Sequence, residues 1–187
     1  MTQLQTEQGI VKVPAGTWKV DPAHSSVGFE VKHMMISTVR GHFSSFDGRL
    51  GAEEDPERSQ VTGWVDVASI NTGSPDRDAH LRSPDFFDAD RYPEIRFAST
   101  RVAHVEGGTY NVWGDLTIKD VTREVQITAT VEGAGQDPWG TERVGIAIRG
   151  EIDRTEFGLR WQQKLATGGL LVGENVRVLA DVSAVRA

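Results

Sequence analysis

At 187 residues, with 38% hydrophobic and 25% charged content, the chain has the length and composition of one folded domain with a sizeable core. A disordered or membrane-inserted chain would not look like this. Its formal net charge of −7 argues against nucleic acid as a partner, which requires clustered Lys and Arg, and against docking on anionic lipid. The absence of cysteine excludes disulfides, thiolate chemistry and sulfur-ligated zinc.

The first residues, Met1 to Gly9, lack the basic start and apolar core of a secretory leader, so a cytoplasmic location is expected. Residues 1–13 read as a flexible tail, with short edge pairing through Ile10 to Val13 as the alternative, and 14–187 as a single domain. Thr17 to Val20 is a first short strand. After the turn at Asp21-Pro22, Val27, Phe29 and Val31 alternate with Gly28, Glu30 and Lys32. Val39, Gly41 and Phe43 continue the alternation. The phase then slips at Ser44-Ser45 before Phe46, Gly48 and Leu50, as a bulge in a bent strand would require. Val61, Gly63, Val65 and Val67 form the next apolar face.

Residues 70–100 break the period. Asn71, Gly73, Pro75 and Ser83-Pro84 are turn formers, and Phe86-Phe87 and Tyr92-Pro93 follow, so the 76–90 connector is expected to form short helical turns closing one end of a β structure. Strand patterns resume at Ile95 and Phe97. They recur, after the Gly107-Gly108 hairpin signal, at Val112 to Ile118, Val121 to Val131, Val144 to Ile152 and Val176 to Ala184.

Eight or nine alternating strands without an amphipathic helix of ordinary length indicate an all-β, antiparallel barrel or sandwich. Strands this long would leave exposed edges in a sandwich, and closing the sheet removes them, so a barrel of about eight strands is favoured. Glycines inside the strand patterns, Gly41, Gly48, Gly63, Gly114, Gly145 and Gly150, permit tight coiling or leave room for something that is not protein.

Candidate chemistry is sparse. Asp78 and His80 have the composition of an oriented general base, but no nucleophile elbow accompanies them, and charged side chains beside a turn commonly tie down loop backbone. His24, His33, His42, His80 and His104 show no spacing that favours shared metal ligation, so no metal site is assigned. The aromatic set Phe29, Phe43, Phe86, Phe87, Phe97, Trp113, Phe157 and Trp161 is either a packed barrel core or the lining of a tunnel for an elongated apolar molecule.

The ordered series Asp21-Pro22-Ala23-His24-Ser25, Phe29, His33, Gly41, Phe43, Asn71-Thr72-Gly73, Arg77-Asp78-Ala79-His80-Leu81, Phe86-Phe87, Tyr92-Pro93, Gly114-Asp115-Leu116-Thr117-Ile118 and Asp153 to Gly158 resembles the YceI-like family from about Thr17 to Val185. The resemblance implies an extended, lipocalin-like barrel whose apolar tunnel takes a polyisoprenoid or similar long-chain lipid. It also implies no assigned enzymatic activity, no cofactor beyond that lipid, and a homodimer as one assembly open to the chain.

The expected function is therefore non-enzymatic binding, transport or storage of a polyisoprenoid, isoprenoid quinone or fatty-acid-like lipid. The alternatives are an enzyme acting through His80 and Asp78 and a filled, ligand-free structural barrel. Strand parity points Phe29, Val31, Phe43, Val65, Phe97, Ile146 and Ile148 inward, and Phe86, Phe87, Phe157 and Trp161 are expected near the openings. Apolar lipid is the expected partner, without membrane insertion or nucleic acid, and binding should depend weakly on head-group identity.

Overall fold

A computed structural model describes residues 5–7 and 9–187. Its strands are β1 (Gln5–Glu7), β2 (Ile10–Lys12), β3 (Gly16–Val20), β4 (Ser26–His33), β5 (Ser37–Phe43), β6 (Phe46–Ala52), β7 (Gln60–Asp66), β8 (Ile70–Asn71), β9 (Glu94–Glu106), β10 (Thr109–Ile118), β11 (Val121–Gln136), β12 (Glu142–Asp153) and β13 (Val172–Arg186), with one α-helix, α1 (Pro75–Arg82). The antiparallel ladder runs β12-β11-β10-β9-β7-β6-β3-β13, and β13 pairs back onto β12, so eight strands close a barrel as expected. β4 and β5 form a hairpin that prolongs β3 and β6, with β8 paired beside β5.

The bends between these pieces share one device. Asp21, Asp55, Asp66 and Asp153 each end an extended segment, and each carboxylate accepts the backbone N–H two residues on, which starts a single 3-10 turn. This is the usual local use of an Asp side chain that would otherwise compete with a ladder. The slip expected at Ser44-Ser45 is also present. There Phe43 and Phe46, three residues apart, are both buried, and the Ser45 amide donates to the Ser69 hydroxyl at 3.1 Å.

The connector contains α1 followed by turns. Ser74 caps the helix with Pro75 at its first position, and Ser83 ends it by donating its amide to the His80 carbonyl. Arg82 donates to the carbonyls of Ala68 and Ile70, which holds the helix against the β7–β8 bend.

Of the tail expected over 1–13, residues 1–4 and 8 lie outside the described residues. β1 and β2 pair with each other as a two-stranded ladder separate from the barrel sheet. The Val11 amide donates to the Gly107 carbonyl at 2.8 Å, the Tyr110 hydroxyl donates to the Val11 carbonyl at 2.7 Å, and Val13 enters the core. Burial raises the Tyr110 phenol above its ordinary pKa.

The strand glycines need a correction. Two of them make room for protein. The ring of Phe29 lies over Gly41, its cross-strand partner, and the ring of Phe97 lies over Gly114 on the neighbouring strand. A Cβ at either glycine would fall within the ring. At Gly114 it would also lie 2.6 Å from the Ala98 carbonyl oxygen, which is backbone and cannot swing aside.

Two outcomes follow from these contacts. Gly114→Ala should destabilise the barrel by about 1–3 kcal/mol, as overpacking does, in thermal or denaturant unfolding. Gly41→Ala should cost less, because only the Phe29 ring must move and the lumen can receive it. An equally stable Gly114→Ala protein would contradict the packing.

A separate prediction, from the Arg143 clamp, concerns acid. The Arg143 guanidinium and then His24 hold the Asp21 carboxyl down to about 2 from 3.8, and Arg143 also donates to Asp137 at 3.0 Å. A carboxyl with a depressed folded-state pKa contributes stability above its ordinary value and loses it as pH falls through the folded value. Arg143→Met should therefore lower the melting temperature by a few degrees at neutral pH. The difference from the native protein should shrink between about pH 4 and pH 2, and a difference independent of pH would count against the clamp.

Candidate ligand-binding cavity

The inward side chains do not meet across the barrel axis. They enclose a cavity of about 400 Å³, within the range of ligand sites, lined almost wholly by apolar atoms. It is continuous from one end of the barrel to the other. At the first end are Val13, Trp18, Ala52 and Ala184, and at the second Leu81, Phe86, Phe87, Ile118 and Leu159.

The two ends are built differently. Trp18 is fully buried, donates its indole N–H to the Pro14 carbonyl at 2.9 Å, and carries the Arg186 guanidinium over its ring at 4.5 Å. The other end lies under α1 and under the segment that follows β12. That segment begins with the 3-10 turn Arg154–Phe157. Asp153 caps it through the Thr155 amide and hydroxyl, which lower the Asp153 pKa, and Gly158 ends it in the left-handed conformation at φ 76°.

Nine of the eleven residues expected to meet a ligand line this cavity: Phe29, Val31, Phe43, Val65, Phe86, Phe87, Phe97, Ile146 and Ile148. Phe157 and Trp161 do not. Phe157 is only 1% exposed and packs in the wall cluster with Phe86, Ile118 and Leu159. Trp161 packs edge-on against His80, with ring centroids 4.8 Å apart, and beside Phe86. Trp113, grouped with the tunnel aromatics, follows the parity of its strand instead: Val112 lines the cavity, and Trp113 stacks under the Arg101 guanidinium at 3.4 Å.

The sequence reading missed several lining residues. Trp18 sits in a strand run too short in sequence to fix its parity, and Leu159 lies outside any strand. Leu116, Ile118, Ile127 and Val131 were legible in the alternation and could have been included. Arg154, which also lines the cavity, carried no signal beyond its place in the Asp153 to Gly158 motif.

The His80–Asp78 pairing expected of a catalytic dyad does not assemble. Asp78 is buried and accepts from the Thr72 amide at 2.9 Å and the Thr72 hydroxyl at 2.5 Å. Arg77 donates to the same hydroxyl and to the Thr72 carbonyl. Together they act as struts that fix the turn before α1. His80 instead pairs with Asp85 at 2.8 Å, between the rings of Phe86 and Trp161. Among the described residues no group of three or more His, Asp or Glu could hold a metal ion. No helix among them is long and apolar enough to cross a membrane.

Comparison with known proteins places this geometry in context. A UPF0312 protein of Staphylococcus aureus is 37% identical over 163 residues, covering 86% of this chain and 92% of that one. The crystal structure of BcnA from Burkholderia cenocepacia superposes with a TM-score of 0.77 at 26% identity, covering 88% of this chain and 98% of that one. A structure described as a polyisoprenoid binding domain from Saccharophagus degradans, at 15% identity and a TM-score of 0.67, covers 91% of this chain and 98% of its own, and shares the fold. Residues 18–184 match the YceI-like domain, so a closed eight-stranded barrel with an apolar, end-to-end cavity is here the product of a chain that belongs to the YceI-like family.

Proposed function

We propose that the protein binds a long-chain apolar lipid inside the barrel, as a carrier or store, and does so without catalysis. The observation that carries this reading is the continuous cavity walled by Phe29, Phe43, Phe97, Ile146, Ile148 and their neighbours. A polyisoprenoid, an isoprenoid quinone or a fatty-acid-like chain matches such a lumen by shape and polarity. The similar fold of the polyisoprenoid binding domain from Saccharophagus degradans supports the same ligand class.

The physical basis is burial. At about 0.8 kcal/mol per methylene, a chain of about 20 carbons offers roughly 16 kcal/mol gross before the costs of association and ordering. An enzyme reading has less support, since Asp78 and Arg77 are committed to Thr72 and His80 has a different carboxylate partner.

Phe97→Asp tests the site. The ring sits against Gly114 in the cavity wall, so an aspartate there should abolish lipid retention or unfold the barrel. A folded Phe97→Asp protein that retains lipid as the native protein does would defeat the assignment.

Native mass spectrometry and organic extraction of gently purified protein test the reading as a whole. A co-purifying lipid, or uptake of added isoprenoid or fatty acid, is the expected result. A protein that carries none and takes up none would instead be a structural barrel.

A further inference from the structure

A single buried charge interrupts the apolar lining. The charged residues buried in the described chain are Lys12, Asp78, Asp88 and Arg154, and of these Arg154 lines the cavity. It is 4% exposed and lies at the α1 end. Its Nε donates to the Gly173 carbonyl at 2.8 Å. Its terminal nitrogens donate to the carbonyls of Leu159 at 2.5 Å, Trp161 at 3.1 Å and Val172 at 3.3 Å.

These bonds fix the guanidinium but leave it short of a counter-charge. A guanidinium has five N–H donors, and four are used. Among the described residues no carboxylate forms an ion pair with Arg154: Asp153 accepts from the Thr155 amide and hydroxyl through Oδ1, and Glu174 and Asp153 favour the charge only from a distance. Burial without a partner opposes the charge, and the Arg154 pKa is lowered accordingly. Folding has thus already dehydrated and oriented a cation at one end of a greasy channel. An oxyanion arriving there need not organise it.

We propose that the cavity selects a carboxylate-headed long-chain lipid, whose head accepts from Arg154 while its chain runs toward Trp18. The inference rests on the lipid-binding reading above and sharpens it to one ligand class. Charge balance favours a carboxylate over a phosphate. Arg154 is the one buried cation in the lining, so a head carrying about −1.5 to −2 charges would remain under-neutralised. This replaces the indifference to head group that a purely apolar lumen implies.

The test compares palmitate, cetyl alcohol and cetyl phosphate, which share one chain, by displacement of an apolar fluorescent probe from delipidated protein. At neutral pH palmitate should bind about ten-fold or more tighter than the alcohol, the size expected of a hydrogen bond to a charged group. In Arg154→Met that ratio should fall to about one. Should this variant fail to fold, the native protein still decides: its preference for the acid must fade as the acid is protonated at low pH.

Equal affinity for acid and alcohol, a preference indifferent to protonation, or tighter binding of the phosphate would each overturn the inference. All three leave lipid binding itself intact. Uptake of none of the three probes would overturn both.

Discussion

The eleven-residue ladder between β12 and β13 joins the last two long strands of an otherwise open sheet, and the shape of the interior follows from that closure. Once eight strands form a ring, the distance across the lumen is set by strand number and tilt. The side chains on the inner face are chiefly Val, Ile, Leu and Phe, and they coat the wall without reaching its axis. An open sandwich with the same residues would collapse face to face and fill itself. The ring cannot collapse without breaking its hydrogen bonds, so dispersion contacts remain unmade along the axis. An apolar chain can supply them.

Closure also demands tight curvature, and the chain meets that demand locally. Asp21, Asp55, Asp66 and Asp153 each trade a ladder position for a capped turn, and Ser44-Ser45 slips one register without breaking the inner face. Gly41 and Gly114 let the rings of Phe29 and Phe97 lie flat on the wall. The glycines therefore thin the wall from within and leave the lumen open. Arg143 then binds two of the acidic corners, Asp21 and Asp137, into one clamp outside the barrel.

The two ends are chemically unlike, which gives the cavity a direction. Trp18 lines one end with a packed indole whose polar edge is satisfied by a backbone carbonyl. The other end combines Phe86, Phe87 and Leu159 with a buried guanidinium held by four carbonyls. Under the proposed reading that asymmetry would orient an amphiphilic chain, with its polar head at the end that holds the buried guanidinium.

Alternation with period two at Phe29-Val31, Val61-Val65, Phe97 and Ile146-Ile148 determined from sequence alone that these side chains share one face, and the bend at Ser44-Ser45 was legible as a phase slip. Strand parity is a local property, carried by the pleat itself. Whether that face surrounded a filled core or an open channel was not local, since it depends on the radius of the closed ring and on rings such as Phe97 folding onto a glycine of the next strand. The same holds for the polar residues. Asp78 and His80 sit two apart in sequence, yet tertiary packing gave Asp78 to Thr72 and His80 to Asp85. Arg154 reads as one more surface charge until the strap from Leu159 to Gly173 folds over it and surrounds it with carbonyls from residues up to 19 positions away. Its burial, and with it the polarity of the cavity, belongs to the tertiary structure because no short-range pattern encodes where a loop returns.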